Sequence, residues 1–468
     1  MLTIYDRTVC HCDGMTRRQF LTAGSAGLGG LCLSDLLRAE ADVGIASSNK
    51  AIINIHLDGG PPQLDTIDMK PHAPREIRGE FLPIQTSLPG FRICELFPKL
   101  AVTADRFSFI RSLVGSAGKH DAFQCQSGFS HTDLQSVGGR PAMGCVISKL
   151  AGSRDDHSPG FVDLMQGRPL VRNSGRPGFL GPSYGPFRPE LSDLFSRPLE
   201  PAMEGELARL GSNHTTRLTL NSDLSLERIK NRRQLLAGLD GIKREIDAAG
   251  MMDAVDGFTQ QAVSILTSGR FAAALDFNLE PENVLARYRA PGDTVERFST
   301  SESPEGSLKL LLARRLIEAG VRVVSLTLSD FDTHSKNFPR MRQMAPIVDH
   351  GLTALIEDLD ERGMLDDVTV IAWGEFGRSP RINKDGGRDH WPQVGPAIIA
   401  GGGCRSGQVI GSTDRQAGVP VKRPVHYKDV FATLYHNLGI DASKTTIDDL
   451  RGRPQYLLDG GKPIRELV

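Results

Sequence analysis

From residue 307 onward the chain alternates short, unbroken apolar runs with longer segments of helical period, and this rhythm constrains the fold more than any other feature. The helical "LKLLLARRLIEAG" leads to "VRVVSLTL", the helical "IVDHGLTALIEDLDERGML" leads to "VTVIAWG", and a further run "PAIIAGG" precedes the helical "YKDVFATLYHNLG". Apolar runs of this length without alternation belong to strands buried on both faces, and strands separated by helices pair in parallel. A run of the same kind, "KAIINIHLDGG", begins at residue 50, and "RFSFIRSLVGS" at residue 106 reads as another strand. The expected fold class is therefore α/β, with a central, mostly parallel sheet between helices. Residues 221–290 break the rhythm: "LERIKNRRQLLAGLDGIKREIDAAG" is charged, helical in period and poor in β-branched runs, so it predicts a helical insertion.

The first 41 residues read as a targeting segment. After Met15 come Arg17 and Arg18, then Phe20 and Leu21, then a weakly apolar, Gly-rich stretch and the small-x-small triplet "AEA". That is the layout of a twin-arginine signal peptide, and Gly24, Gly27, Gly29 and Gly30 weaken the alternative of a buried N-terminal helix. The mature chain is then 42–468, an exported or periplasmic protein, and no stretch of it reaches the roughly 18 apolar residues of a membrane span. Of seven cysteines, Cys94, Cys125, Cys145 and Cys404 lie beyond the leader, with no C-x-x-C pair to suggest a zinc knuckle and no pairing that spacing assigns. The formal net charge of -1, from 55 basic and 56 acidic residues, argues against nucleic acid as a partner, which would require a concentrated basic excess.

In a parallel sheet, ligands bind beyond the carboxyl ends of the strands. Those ends carry Asp58 after the first run, with Asp65 and Asp68 in the loop; Asp330, Asp332 and His334 after "VRVVSLTL"; and Glu375 and Arg378 after "VTVIAWG". Arg388, Asp389 and His390 follow in "GGRDHWP". Each has a plain structural reading: Asp58 as a turn-former before Gly-Gly, Glu375 paired with Arg378, His334 as a helix cap. Several oxygen and nitrogen donors at separate strand ends favour a divalent metal held by Asp58, Asp332, His334, Glu375 and His390, with Asp332, His334, Glu375 and His390 converging on one ion. Zinc is the first candidate, and calcium, magnesium and manganese are the others.

The motifs "HLDGGPPQLDTIDMKP", "EIRGEF", "GFRICELFPKLA", "IRSLVGSAGKHDAF", "DTHSKNF", "WGEFGRSPRINKDGGRDHWP" and "GGGCRSGQVIGSTD" span nearly the whole mature chain. In this order they resemble the exported bacterial domain-of-unknown-function 1501 family, which is similar to the alkaline phosphatase and sulfatase superfamily. The resemblance implies an alkaline-phosphatase-like sheet between helices and a two-metal site. On it Asp58 takes the place of the superfamily's first-strand acid, Asp332 and His334 that of a later acid and imidazole, and His390 that of the final histidine. The superfamily's Asp-His pair is missing, with Glu375 and Phe376 in its place, and "DTH" is tighter than the usual Asp-x-x-x-His. For the nucleophile, the stretch after the second strand offers Ser112 and Ser116, with His120 and Asp121 beside them, and Thr66 is the hydroxyl in the first loop. No Cys-x-Pro-x-Arg sulfatase signature is present.

Two functions of different class fit these residues. One is an exported, metal-dependent hydrolase acting on an anionic small-molecule or glycan ester, phosphate or sulfate, with Ser116 and His120 in catalytic roles and Arg378 or Arg388 steadying the anion. The other is a non-catalytic exported protein that keeps the fold to bind a carbohydrate or protein partner.

Overall fold

The computed structural model describes residues 48–195 and 269–468, apart from 121–122, 131, 134–137, 156, 168–174, 192–193 and 293–296. The leader expected over 1–41 and most of the insertion expected over 221–290 lie outside the described residues. The described end of that insertion holds two short helices, Arg270–Leu275 and Glu282–Tyr288.

The apolar runs form the expected strands. They are β1 (Ala51–Leu57), β2 (Ser108–Val114), β4 (Val323–Leu328), β5 (Val368–Trp373) and β6 (Gly395–Ala400). Three shorter strands, β3 (Phe161–Leu164), β7 (Val409–Ile410) and β8 (Val425–His426), complete one sheet in the order β7-β2-β6-β5-β1-β4-β3, with β8 also pairing β2. Every residue of β1, β4 and β5 is buried, as continuous apolar runs require. β1 lies parallel between β4 and β5, and β6 alone runs antiparallel to its neighbours β5 and β2.

Both faces are covered, and α1 (Met143–Ala151) packs beside β3. Ile53 and Ile55 of β1 belong to the core formed with α2 (Leu308–Glu318) and α3 (Asn337–Glu361). Residues of opposite parity point to the other face: the Asn54 amide donates to the Cys125 carbonyl at 2.8 Å and accepts from Trp373 Nε1 at 2.9 Å. Trp373 in turn stacks with Tyr427 and Phe431 of α4 (Tyr427–Asn437). The helical run quoted ahead of "VTVIAWG" starts at Ile347, whereas α3 begins ten residues earlier and runs through Pro346. Burial of Met341, Met344 and Ala345 ahead of the proline holds the two halves in line against its lost hydrogen bond. Cys94, Cys145 and Cys404 are free thiols. No helix among the described residues is long and apolar enough to cross a membrane.

Candidate metal centre

The sheet's directions explain why distant residues meet at one rim. β5, β1 and β4 are adjacent and parallel, so the segments leaving them, with Glu375, Asp58 and Asp332 to His334, emerge side by side. β2 points the same way and delivers Ser116 and His120. β6 runs the other way and is entered at this rim, so His390, which precedes it, arrives at the same place. A two-strand hairpin of Gly377–Arg378 with His390–Trp391 carries it there. Gly59 makes the close approach feasible. At φ +98° its N–H donates to Glu375 Oε1 (3.0 Å), and a Cβ on it would lie 2.3 Å from the backbone nitrogen of Asp332.

The side chains fall into two groups, each with its donor atoms within 4.8 Å of one another. The outer group is His120, Asp332, His334 and His390; the inner group is His56, Asp58 and Glu375. In the outer group the three imidazoles surround one carboxylate. His120 Nε2 is 3.2 Å from Asp332 Oδ2, and His334 Nε2 and His390 Nε2 are 3.3 and 3.7 Å from Asp332 Oδ1. Four ligands placed tetrahedrally at zinc-type bond lengths are roughly 3.3–3.6 Å apart, so the spacing suits such a cation.

The outer ring nitrogens settle which way each imidazole faces. His120 Nδ1 meets Glu375 Oε1 at 3.0 Å, His334 Nδ1 meets Asp389 Oδ1 at 3.1 Å, and His390 Nδ1 meets the Gly118 carbonyl at 3.1 Å. These partners only accept, so each Nδ1 carries the hydrogen and, in the neutral ring, each Nε2 presents its lone pair toward Asp332. His390 Nε2 is buried and has no hydrogen-bond partner. Phe376 stacks on the His390 ring with centroids 4.2 Å apart.

The electrostatics keep the acids of the site charged. Burial alone would raise the Asp332 carboxyl, but the imidazoles of His120 and His390 and the Arg378 guanidinium hold it far below the ordinary carboxylate range. Glu375 is likewise held low against its burial by His120 and His56. Burial works to lower His120, yet its bonds to Asp332 and Glu375 outweigh this and lift it to about 9. Asp389 is lowered by its hydrogen bond with His334.

The residues singled out in the sequence are thus divided. Asp332, His334 and His390 come together, but Glu375 stands in the inner group with Asp58, and His120 takes its place beside Asp332. Ser116 donates to the Glu375 carbonyl at 2.6 Å and accepts from the Gly118 N–H, bracing the loop that holds His390. Ser112 donates to the Arg423 carbonyl and Thr66 to the Pro62 carbonyl. Asp121 lies outside the described residues. Arg378 is fully buried and bonds Asp332 Oδ1 at 2.6 Å, with further bonds to the carbonyls of Gly59, Gly60 and Arg388. Arg388, also fully buried, spends its guanidinium on Asp65 and on the carbonyls of Ile77, Ser379 and Pro380. Arg388 therefore ties loops together where the sequence reading has it facing an anion. His56 was not singled out, because an imidazole inside an apolar run reads as core; its spacing of two from Asp58, which mirrors Asp332 and His334, is the signal that could have found it.

The sequence matches the family described as protein of unknown function (DUF1501) over residues 49–468. The chain belongs to that family. No curated protein matches this DUF1501 chain. Solved structures similar to it include a lipoteichoic acid synthase from Listeria monocytogenes, at 10% identity and TM-score 0.34, covering 85% of this chain and 74% of that one. A phosphonate monoester hydrolase from Silicibacter pomeroyi matches at 12% identity and TM-score 0.35 (89% and 76% covered). A sulfatase from Pseudoalteromonas sp. matches at 13% identity and TM-score 0.37 (92% and 73% covered). Likeness this loose assigns the DUF1501 chain no activity.

Proposed function

We propose that this protein is an exported, metal-dependent hydrolase of phosphate or sulfate esters, acting on an anionic small molecule or a glycan. The observation that carries the reading is the outer group: three imidazoles whose Nδ1 atoms are each tied to an acceptor, and whose Nε2 atoms converge with Asp332 at the rim of the sheet. Zinc is the first candidate for this nitrogen-rich donor set. A cation held there would act as a Lewis acid toward the ester oxygen and would lower the pKa of a water. The chain's own part is to keep the donors in place. Arg378 fixes Asp332, Glu375 and Asp389 fix the rings of His120 and His334, and Phe376 backs His390, so little reorganisation is needed when substrate arrives. His334 is 49% exposed and marks the open side from which an ester would enter.

The test is metal analysis of the purified protein together with turnover of p-nitrophenyl phosphate and p-nitrophenyl sulfate. His390→Ala should lower the metal content and abolish turnover of whichever ester is cleaved. Full metal content and unchanged turnover in that variant would remove the basis of the reading.

A second reading is a non-catalytic protein that binds a carbohydrate or a partner. It is favoured by the hydroxyls: Ser112, Ser116 and Thr66 each donate to a backbone carbonyl, so each is engaged in holding a loop. A metal-loaded protein inert toward both esters would support it.

A further inference from the structure

An anionic ester needs fixed positive charge where its oxygens come to rest, and the loops around the outer group place little of it there. Arg378 and Arg388 are fully buried, and their guanidinium donors go to Asp332, Asp65 and backbone carbonyls. Lys336 lies over the Phe298 ring, with Nζ 5.8 Å from its centroid. Lys119, Arg381 and Lys384 are exposed side chains on the loops that carry His120 and His390. A charge at the end of a long chain in water is weakly felt, because solvent and salt screen it and holding it still costs entropy. The charge pinned beside the exposed His334 is negative. Asp389 is 58% exposed, yet its Oδ1 is held at 3.1 Å by both His334 Nδ1 and the Asn383 amide, and its backbone N–H donates to the Ser379 hydroxyl at 2.9 Å. That carboxylate stands roughly 7 Å from any cation bound at zinc-type distance to His334 Nε2.

Building on the ester-hydrolase reading, we propose that Asp389 selects esters by charge: the outer group accepts a reacting group with one negative charge, a sulfate monoester or a phosphate diester, and disfavours the doubly charged phosphate monoester. A divalent cation and Arg378 would bring three positive charges to the site, against the four carboxylates of Asp58, Asp332, Glu375 and Asp389. The cation can meet one negative charge of the ester directly. A second would face the Asp389 carboxylate on the open side, with no guanidinium among the described residues turned toward it. Holding the His334 ring requires only an acceptor, which an amide also supplies, so the ionised carboxylate at this exposed position adds repulsion of a further anion to that positioning role. The two roles separate by experiment: loss of positioning affects every ester alike, whereas loss of the charge favours the doubly charged one.

The experiment compares the zinc-supplemented full chain with its Asp389→Asn variant at pH 8. Values of kcat/KM are measured for p-nitrophenyl phosphate, p-nitrophenyl sulfate and bis(p-nitrophenyl) phosphate, and their ratios do not depend on how much of the protein carries metal. Asp389→Asn should raise the doubly charged ester at least about threefold relative to whichever singly charged ester is cleaved, and which of those two is cleaved tells a sulfatase from a diesterase. Binding supplies a second readout. In calorimetry, inorganic phosphate, mostly doubly charged at this pH, should gain at least about threefold in affinity relative to dimethyl phosphate on the same substitution. An unchanged ratio in either assay, or no binding of either anion, would overturn the proposal. So would a Lys119→Gln variant whose loss is confined to p-nitrophenyl phosphate, because an exposed lysine would then be the partner of the second charge. If no ester is cleaved, the hydrolase reading fails by itself and the phosphate comparison still decides the role of Asp389.

Discussion

Replacing Arg388 with Met tests whether this arginine is a strut or an anion ligand. All five N–H donors of a guanidinium are accounted for here: Nε and Nη2 hold Asp65 at 2.7 and 3.1 Å, Nη2 also reaches Ile77 O at 2.8 Å, and Nη1 reaches the carbonyls of Ser379 and Pro380. Both Asp65 and Arg388 are fully buried. Methionine fills much of the same space but leaves the Asp65 carboxylate in the interior with the Asn337 amide at 2.8 Å. Breaking a buried pair in this way costs about 3–5 kcal/mol, a large part of the roughly 5–15 kcal/mol by which a domain is stable. Urea unfolding followed by far-UV circular dichroism should show the midpoint falling accordingly. The double variant Asp65→Asn/Arg388→Met removes the stranded charge and should regain at least about 1 kcal/mol relative to Arg388→Met. A single variant that loses less than about 1 kcal/mol while its KM for an ester rises would refute this reasoning and return Arg388 to the role of anion ligand.

Asp349, buried in α3, accepts from the backbone N–H groups of Lys99 and Leu100, yet burial lifts its carboxyl to about 6. A native pKa above the unfolded 3.8 means that the folded state takes up the proton first, so this group's contribution to stability falls as pH rises from about 4 to 6, by up to about 3 kcal/mol. Asp349→Asn removes the titrating group while keeping an acceptor for one of the two N–H groups, and it should flatten that slope in urea titrations between pH 4 and 7; an unchanged slope would rule the residue out as its source. For the leader, changing Arg17 and Arg18 to Lys should trap the precursor in the cytoplasm, and undisturbed export on cell fractionation would refute the twin-arginine route.

The sheet was legible in the sequence where burial on both faces leaves an unbroken apolar run, as in β1, β4, β5 and β6. β7 and β8, of two residues each, are too short to carry a period, and their pairing with β2 comes from the path of the surrounding loops. The rim itself was legible for the same reason as the strands: parallel neighbours must end together. Which residues meet there was not. Glu375 and Asp332 differ in partner because Gly59 lets one loop press close enough to bond the Glu375 carboxylate, a backbone detail with no signature in spacing. Arg378 and Arg388 look alike as charged residues beside a motif, and only their burial shows both committed to holding carboxylates and carbonyls.

The reversal of β6 has a consequence for change over time. A connection between parallel strands must cross a face of the sheet and is fixed in length by the helix that covers it. The stretch from Gly374 to Val394 instead begins and finishes on one rim, because β5 and β6 are antiparallel. Residues added around its exposed Lys384 and Asp385 would lengthen a surface loop without re-threading the strands or disturbing the core. That loop borders His334 and His390: the Asn383 amide donates to the carbonyl of His334 and to Asp389. Proteins built on this plan can therefore reshape the wall around the centre by insertion while the donors stay put, and differences in what they accept should gather there.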